Sequence, residues 1–356
     1  MQDAAYLTGI RALSLSLMVS LFASAIFQKS VTAGPSTESS ITPATMPAPF
    51  TANEMLIASI AATRLPDNYA YHMEETEHAT ESPRWQKITK SSNIFNVYCS
   101  PSCTDVAGTE YAEIKGKNCP INELRAIWAG ANLIQRSQSG GNVGNISIMF
   151  LEHVPRYPGW EFEDGPLDGR LAKDSKTAME FLLEAGTAVV EGAEKIEGND
   201  CVIVATNTPY GLITVWLDPK QNYRLRKATE KKGPANFLAP AVTLEGDGMG
   251  IIEADYVIDN IVIKKMGEYS VPVSGNSSLL WIYKDGSRES WLGNIVRTRF
   301  QIDPDFSAMG VFVMDGIPEG TRVNHVLSGG KMDPRPYIWQ DGKAVPGEWH
   351  DMGEPN

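Results

Sequence analysis

The most regular signal in the chain is a two-residue alternation of apolar and polar positions. Cys201-Val-Ile-Val-Ala205 is an apolar, β-branched run, turn formers fill Asn207 to Gly211, and Leu212-Ile-Thr-Val-Trp-Leu217 returns. This predicts a hairpin. Asp218-Pro219 with Gln221-Asn222 predicts the next turn, and Tyr223-Arg-Leu-Arg226 alternates apolar with basic, the period of a strand with one wet face. Leu279 to Tyr283, Lys284-Asp-Gly-Ser287 and Arg288 to Leu292 repeat the device, the Asp-Gly pair supplying the positive φ angles of a tight turn. Further strands are expected at Asn93 to Cys99, Ile146 to Leu151, Ile251 to Lys264 and Arg297 to Ile302, and one more small hairpin at Tyr337 to Val345 around Gln340-Asp-Gly-Lys343. No fixed-period repeat is visible, which disfavours solenoids and propellers.

Helical spacing occurs in three places. Thr51 or Asn53 can cap a short helix whose Met55, Ile57, Ile60 and Ala61 fall on one side. A second helix is expected from Asn122 to about Ser137, with Leu124, Ile127, Trp128, Ala131 and Ile134 on one face, and a third after Asp174-Ser175, with Ala178, Phe181, Leu182 and Leu183 before a stop at Gly186. Many sequential hairpins without βαβ alternation predict an α+β fold, an antiparallel sheet with helices over one face.

The first residues set the compartment. Arg11 precedes Ala12 to Phe27, sixteen residues without a charge, and Val31-Thr32-Ala33 offers small residues where a signal peptidase reads. A membrane anchor is the alternative, but sixteen residues fall short of the roughly 20 that span a bilayer. The expectation is cleavage after Ala33 and a periplasmic or extracellular chain, without lipidation because no cysteine lies near the site. Residues 34–50 hold four prolines and six Ser/Thr, the composition of a solvated tether.

Charge narrows the function classes. The full chain has 356 residues, 31 Lys+Arg and 43 Asp+Glu, a net charge of -12. Losing Asp3, Arg11 and Lys29 with the signal leaves 29 basic and 42 acidic groups, a charge of -13. Nucleic acid needs a basic face, and the basic clusters here are short: Arg224, Arg226 and Lys227, then Lys231-Lys232.

The cysteines Cys99, Cys103, Cys119 and Cys201 allow three pairings. In an exported chain a structural bridge is expected over a metal site, because none of His72, His78 or His153 stands at a recognisable ligand spacing. His72, Glu74, Glu75, Glu77 and His78 read as a strand edge or solvated turn rather than a metal cluster. Asp303-Pro-Asp305 reads as a turn, Gly246 to Gly250 as a flexible loop, and Asn145-Ile-Ser147 and Asn276-Ser-Ser278 as surface turns. No nucleophile elbow, zinc-protease helix or phosphate loop occurs. No catalytic residue, metal or cofactor is assigned, and the chain is read as not an enzyme.

Glu191-Gly-Ala-Glu-Lys-Ile-Glu-Gly198, Cys201-Val-Ile-Val, Gly211-Leu-Ile-Thr-Val-Trp-Leu-Asp-Pro219 and Tyr223-Arg-Leu-Arg-Lys together resemble the outer-membrane lipoprotein-sorting proteins of bacteria. The resemblance implies a half-open antiparallel β-barrel whose concave face, covered by helices, accepts acyl chains. It divides the chain into a signal (1–33), a linker (34–50), a carrier-like half-barrel (51–275), a strand extension of it (276–330) and a Pro/Gly-rich tail (331–356). Candidate cavity-lining residues are Trp216, Tyr223, Leu225, Trp281 and Tyr283. The function so implied is an exported, monomeric binding protein that shields a lipid or a lipidated polypeptide. The alternative is an envelope scaffold or sensor with a filled cavity and a protein partner.

Overall fold

The computed structural model describes residues 50–81, 90–114, 116–129, 132–139, 146–151, 165–171, 176–236, 250–327 and 333–347. Among these residues the strands form one open sheet of sixteen, edged by two non-adjacent strands. A first meander runs β1 (Tyr69–Glu81), β2 (Lys90–Cys99), β3 (Cys103–Ile114), β4 (Lys117–Ala129), β5 (Asn132–Ser139), β6 (Ile146–Leu151), each antiparallel to the last. A second begins at the far edge with β7 (Val189–Ile196), β8 (Asn199–Thr208), β9 (Gly211–Asp218), β10 (Arg224–Lys232), β11 (Ile251–Met266), β12 (Tyr269–Tyr283) and β13 (Arg288–Ile302), and ends beside β1. β14 (Arg322–Val326) then returns to lie parallel to β6, and β15 (Tyr337–Gln340) and β16 (Lys343–Pro346) complete that edge.

Local chemistry sets the turns. Glu197-Gly198 and Asp341-Gly342 have φ of 48° and 83°, and 50° and 74°, the left-handed pair that a two-residue hairpin requires. The helix α1 (Ala52–Thr63) is capped by Thr51, and α2 (Ala178–Ala185) by Thr177, each in a reciprocal box with the glutamate three residues on. Gly186 ends α2 at φ 66°, as expected of a left-handed stop.

One face can be followed through the register. Val190, Val204, Val215, Ala228 and Ile258 stand opposite one another across β7 to β11, and the row continues through Ser277 and Gly293 to Glu77. Met55 and Leu56 of α1 with Met179, Phe181 and Leu182 of α2 pack on its apolar end. Each such side chain contributes about 1.5–3 kcal/mol of burial. The same face carries a second apolar cluster, including Tyr71, Met73, Phe95, Val97, Leu124, Ala126 and Trp128. Leu167 belongs to this cluster, and the neighbouring Gly169 lies against Leu225 and Met179 of the first.

The opposite face of β4 and β6 is also covered. Ile127 and Ile148 pack with Met314 and Ile317 from the stretch between the short helix α3 (Phe306–Met309) and β14. Asp105 anchors that stretch, accepting from the Phe312 amide at 2.8 Å and from Arg125 Nη2 at 2.8 Å, while Arg125 Nη1 reaches Asp315.

This two-sided burial corrects the second expected helix: Asn122 to Ser137 is a hairpin of β4 and β5. Leu124, Ala126 and Trp128 face one core and Ile127 the other, which produces apolar spacing that imitates a helix. In α1 the buried side is Ala52, Met55, Leu56 and Ser59, and Ile57 is exposed. Asn276 is no turn residue: it lies within β12 and accepts from Asn294 Nδ2 at 3.0 Å. The His72 to His78 run is neither edge nor turn, since β1 is hydrogen-bonded on both sides, and Glu75 is buried, accepting from Asn93 at 2.9 Å. Among the described residues no helix is long and apolar enough to cross a membrane. The signal segment, residues 34–49, His153, Asn145 and Gly246 to Met249 lie outside the described residues.

Candidate functional site

The turn between β9 and β10 begins with Asp218, whose Oδ1 accepts from the Lys220 amide at 3.0 Å over Pro219. Asn222 and Tyr223 then take φ of 54° and 58° and return the chain into β10. Arg224, Leu225 and Arg226 follow, and all three are buried. The expected wet face is therefore absent here, and an irregularity in the ladder between Leu225 and Lys227 breaks the alternation on which it rested.

Three arginines are buried in this part of the molecule, with two carboxylates between them. Arg226 holds Asp218 through Nε at 3.2 Å and Nη2 at 2.9 Å, and its Nη1 donates to the Ile261 carbonyl at 3.3 Å. Arg297 grips Asp168 with Nη1 at 3.0 Å and Nη2 at 2.9 Å and lies 4.9 Å over the Tyr71 ring. Arg224 is 2% exposed, and its Nε and Nη2 find no hydrogen-bond partner. Burial pulls its pKa down to about 10, Asp168 working against the shift and Arg226 adding to it. It is still charged at neutral pH.

Arg224 forms part of the wall of a pocket of about 790 Å³. The end of α1 contributes Ala61, Ala62, Arg64, Leu65 and Asp67, the turn before β10 contributes Lys220, Gln221 and Asn222, and the adjoining ends of β11 and β12 contribute Ile263, Lys265, Glu268, Tyr269 and Ser270. The other cations of this wall are engaged: Lys220 with Asp200 at 3.2 Å, Lys265 with the Glu268 carbonyl at 2.8 Å, Arg64 with Asp67 at 3.4 Å.

The five candidate lining residues are not brought together. Leu225 is core beneath the helices, and Tyr223 packs beside it with its ring 5.5 Å from Phe50, edge to face. Trp216 faces away from the helices, against Cys201 and Ile203; its Nε1 donates to Glu194 at 2.6 Å and Lys227 lies 4.5 Å from the ring. Trp281 and Tyr283 lie near the end of β12, roughly 35–45 Å along the strand from Ser270. Tyr283 is buried and donates to Glu289 at 2.9 Å. None of the five lines the pocket, and Arg224, which does, is the residue that the alternation had placed in water.

No disulfide joins the four cysteines, contrary to the expected bridge. Cys99 pairs with Thr104 in the ladder, so Cys103 points to the other face: Cys99 packs in the Tyr71 cluster and Cys103 against the Ile127 cluster. Among the described residues no group of three or more His, Cys, Asp or Glu is placed to hold a metal.

No family model and no curated protein matches the chain. It is similar to solved structures. A LolA superfamily protein from Nitrosomonas europaea shares 12% identity over 76% of this chain and 100% of its own, with a TM-score of 0.36. A DUF1329 family protein from Desulfovibrio piger shares 9% over 71% and 92%, with a TM-score of 0.31. MucB, solved in complex with MucA, shares 9% over 73% and 96%, with a TM-score of 0.18.

Proposed function

We propose that this chain is an exported binding protein, without catalytic activity of its own, that takes up a lipid or a lipidated polypeptide. The observation that carries the reading is the pocket of about 790 Å³ at the end of α1, within the range of small-molecule sites. Its wall mixes apolar groups, Ala61, Leu65, Ile263 and Tyr269, with charged ones, the surface that an amphiphile's first methylenes and headgroup would meet. Each methylene it covers contributes about 0.8 kcal/mol. In this reading the face under α1 and α2 is the concave face of a half-open barrel. What supports that is one face carrying both helices and two apolar clusters.

The test is titration of the full exported chain with dodecanoate, followed by Tyr and Trp emission and by calorimetry. Saturable uptake of one or two molecules is expected, and native mass spectrometry of protein purified from its own envelope should show bound lipid. No uptake and no co-purifying lipid would sink the reading. The envelope-scaffold alternative then stands in front. It already draws support from Trp216 and Tyr283, which are packed and hydrogen-bonded as core residues are.

A further inference from the structure

We infer that Arg224 is the anion-binding group of this pocket and receives the carboxylate or phosphate end of an amphiphile; the inference rests on the binding reading above. It begins from a mismatch of charge. Three buried guanidinium groups share two carboxylates, and each carboxylate is taken by two nitrogens of one arginine: Asp218 by Arg226, Asp168 by Arg297. Asp218 stands directly opposite Arg224 in the β9–β10 ladder, yet its side chain turns to Arg226. Arg224 is left with a full charge and with Nε and Nη2 unbonded at 2% exposure.

A buried charge without a partner is costly, and folds retain one where a bound group completes it. Here the pocket runs up to the buried group, because Arg224 belongs to its wall, and a ligand that pairs with Nε and Nη2 must displace the side chains that cover them. The chemistry of that group follows from the donors. Nε and Nη2 lie on one edge of the planar guanidinium and present two parallel N–H groups, which match the two oxygens of a carboxylate or phosphate. Lys220 and Lys265 on the same wall add positive potential without competing for the guanidinium. Asp67 and Glu268 are exposed residues on that wall, where solvent screens them. The apolar wall of Ala61, Leu65 and Ile263 favours an anion that carries a hydrocarbon chain over a bare ion.

The full chain and its Arg224→Gln and Arg224→Lys variants are titrated with dodecanoate, dodecyl phosphate, dodecanol and inorganic phosphate. The wild type should bind the two anionic amphiphiles about tenfold to a hundredfold more tightly than dodecanol, the range of one charge-assisted contact. Arg224→Gln should bring them to the level of dodecanol while leaving dodecanol unchanged, and Arg224→Lys should keep part of the preference. Inorganic phosphate bound as tightly as dodecyl phosphate would uphold the anion site but identify a free anion as its occupant. Equal binding of all three dodecyl ligands, or a preference that survives Arg224→Gln, would overturn the role of Arg224 and leave the binding reading standing. Failure to bind any dodecyl ligand would remove the binding reading itself. Thermal melting keeps the variants interpretable: removing an unpartnered buried charge should not lower the melting temperature, and an Arg224→Gln protein that unfolds would show the side chain to be structural and overturn the proposal.

Discussion

Arg226 holds the Asp218 carboxylate at 2.9 Å and 3.2 Å, and the same carboxylate caps the turn that leads into the arginine's own strand. One side chain thus fixes the β9–β10 turn and neutralises a buried guanidinium, while Nε and Nη2 of Arg224 have no hydrogen-bond partner.

The first prediction tests that coupling. Asp218→Asn keeps the size of the side chain but leaves Arg226 charged and buried, so unfolding free energy should fall by about 3–5 kcal/mol. Asp200→Asn, which breaks only exposed pairs with Lys195 and Lys220, should leave stability almost unchanged. Urea denaturation of the two variants measures the contrast. Equal losses would show that the buried pair is not special.

The same residues show what the sequence could and could not reveal. The hairpins around Cys201 to Leu217, Asp285-Gly286 and Asp341-Gly342 were legible because turn chemistry and strand alternation are local, although Gly286 alone of its pair takes the expected positive φ, at 80°. The pairing of β13 with β1, and of β14 with β6, has no local signature, since each joins segments far apart in the chain. Residues 122–137 misled because burial on both faces erases the two-residue period. Arg224 misled in another way: alternation with Leu225 looks the same whether the arginine faces water or a pocket. The signal that could have found it is a count of Asp-Pro and Arg-x-Arg, one carboxylate for two guanidinium groups.

Acid should loosen the C-terminal hairpin. Arg335 donates to Asp333 and, with the Arg335 amide and the Tyr337 hydroxyl, holds its carboxyl far below the ordinary carboxylate range, against the effect of burial. A carboxylate so depressed contributes stability above the ordinary range and loses it as pH falls towards the folded value. Emission from Trp339, which is 3% exposed, should therefore report release of β15 and β16 below the ordinary carboxylate range. Asp333→Asn should show the loosened state already at neutral pH and respond less to acid. An unchanged acid profile in that variant would assign the transition to other groups.

Thiol chemistry checks the absence of a bridge. Burial first, then the charge of Asp218, pushes the Cys201 thiol up to about 11, so little thiolate forms at pH 8. A thiol-reactive dye should label half-buried Cys119 in the native chain long before Cys201. After denaturation without reductant it should count four thiols. A count of two or none would restore the disulfide.

The last prediction concerns the approach of the 165–171 segment to the sheet. A Cβ on Gly275 would stand 2.7 Å from Leu167 Cδ2 and 3.2 Å from the Asp259 carbonyl oxygen. Leu167 could swing away, but the Asp259 backbone is fixed in the β11–β12 ladder, so Gly275→Ala should cost about 1–3 kcal/mol. Leu167→Ala alone opens a cavity beside Ile295 and Tyr71, at about 2–5 kcal/mol. Combined, the two should cost less than their sum, because the smaller side chain makes room for the added methyl group. A double-mutant cycle by thermal melting reads this coupling directly. Strict additivity would mean that the segment does not rest on Gly275 in solution, and the bridge between the two apolar clusters would have to be redrawn.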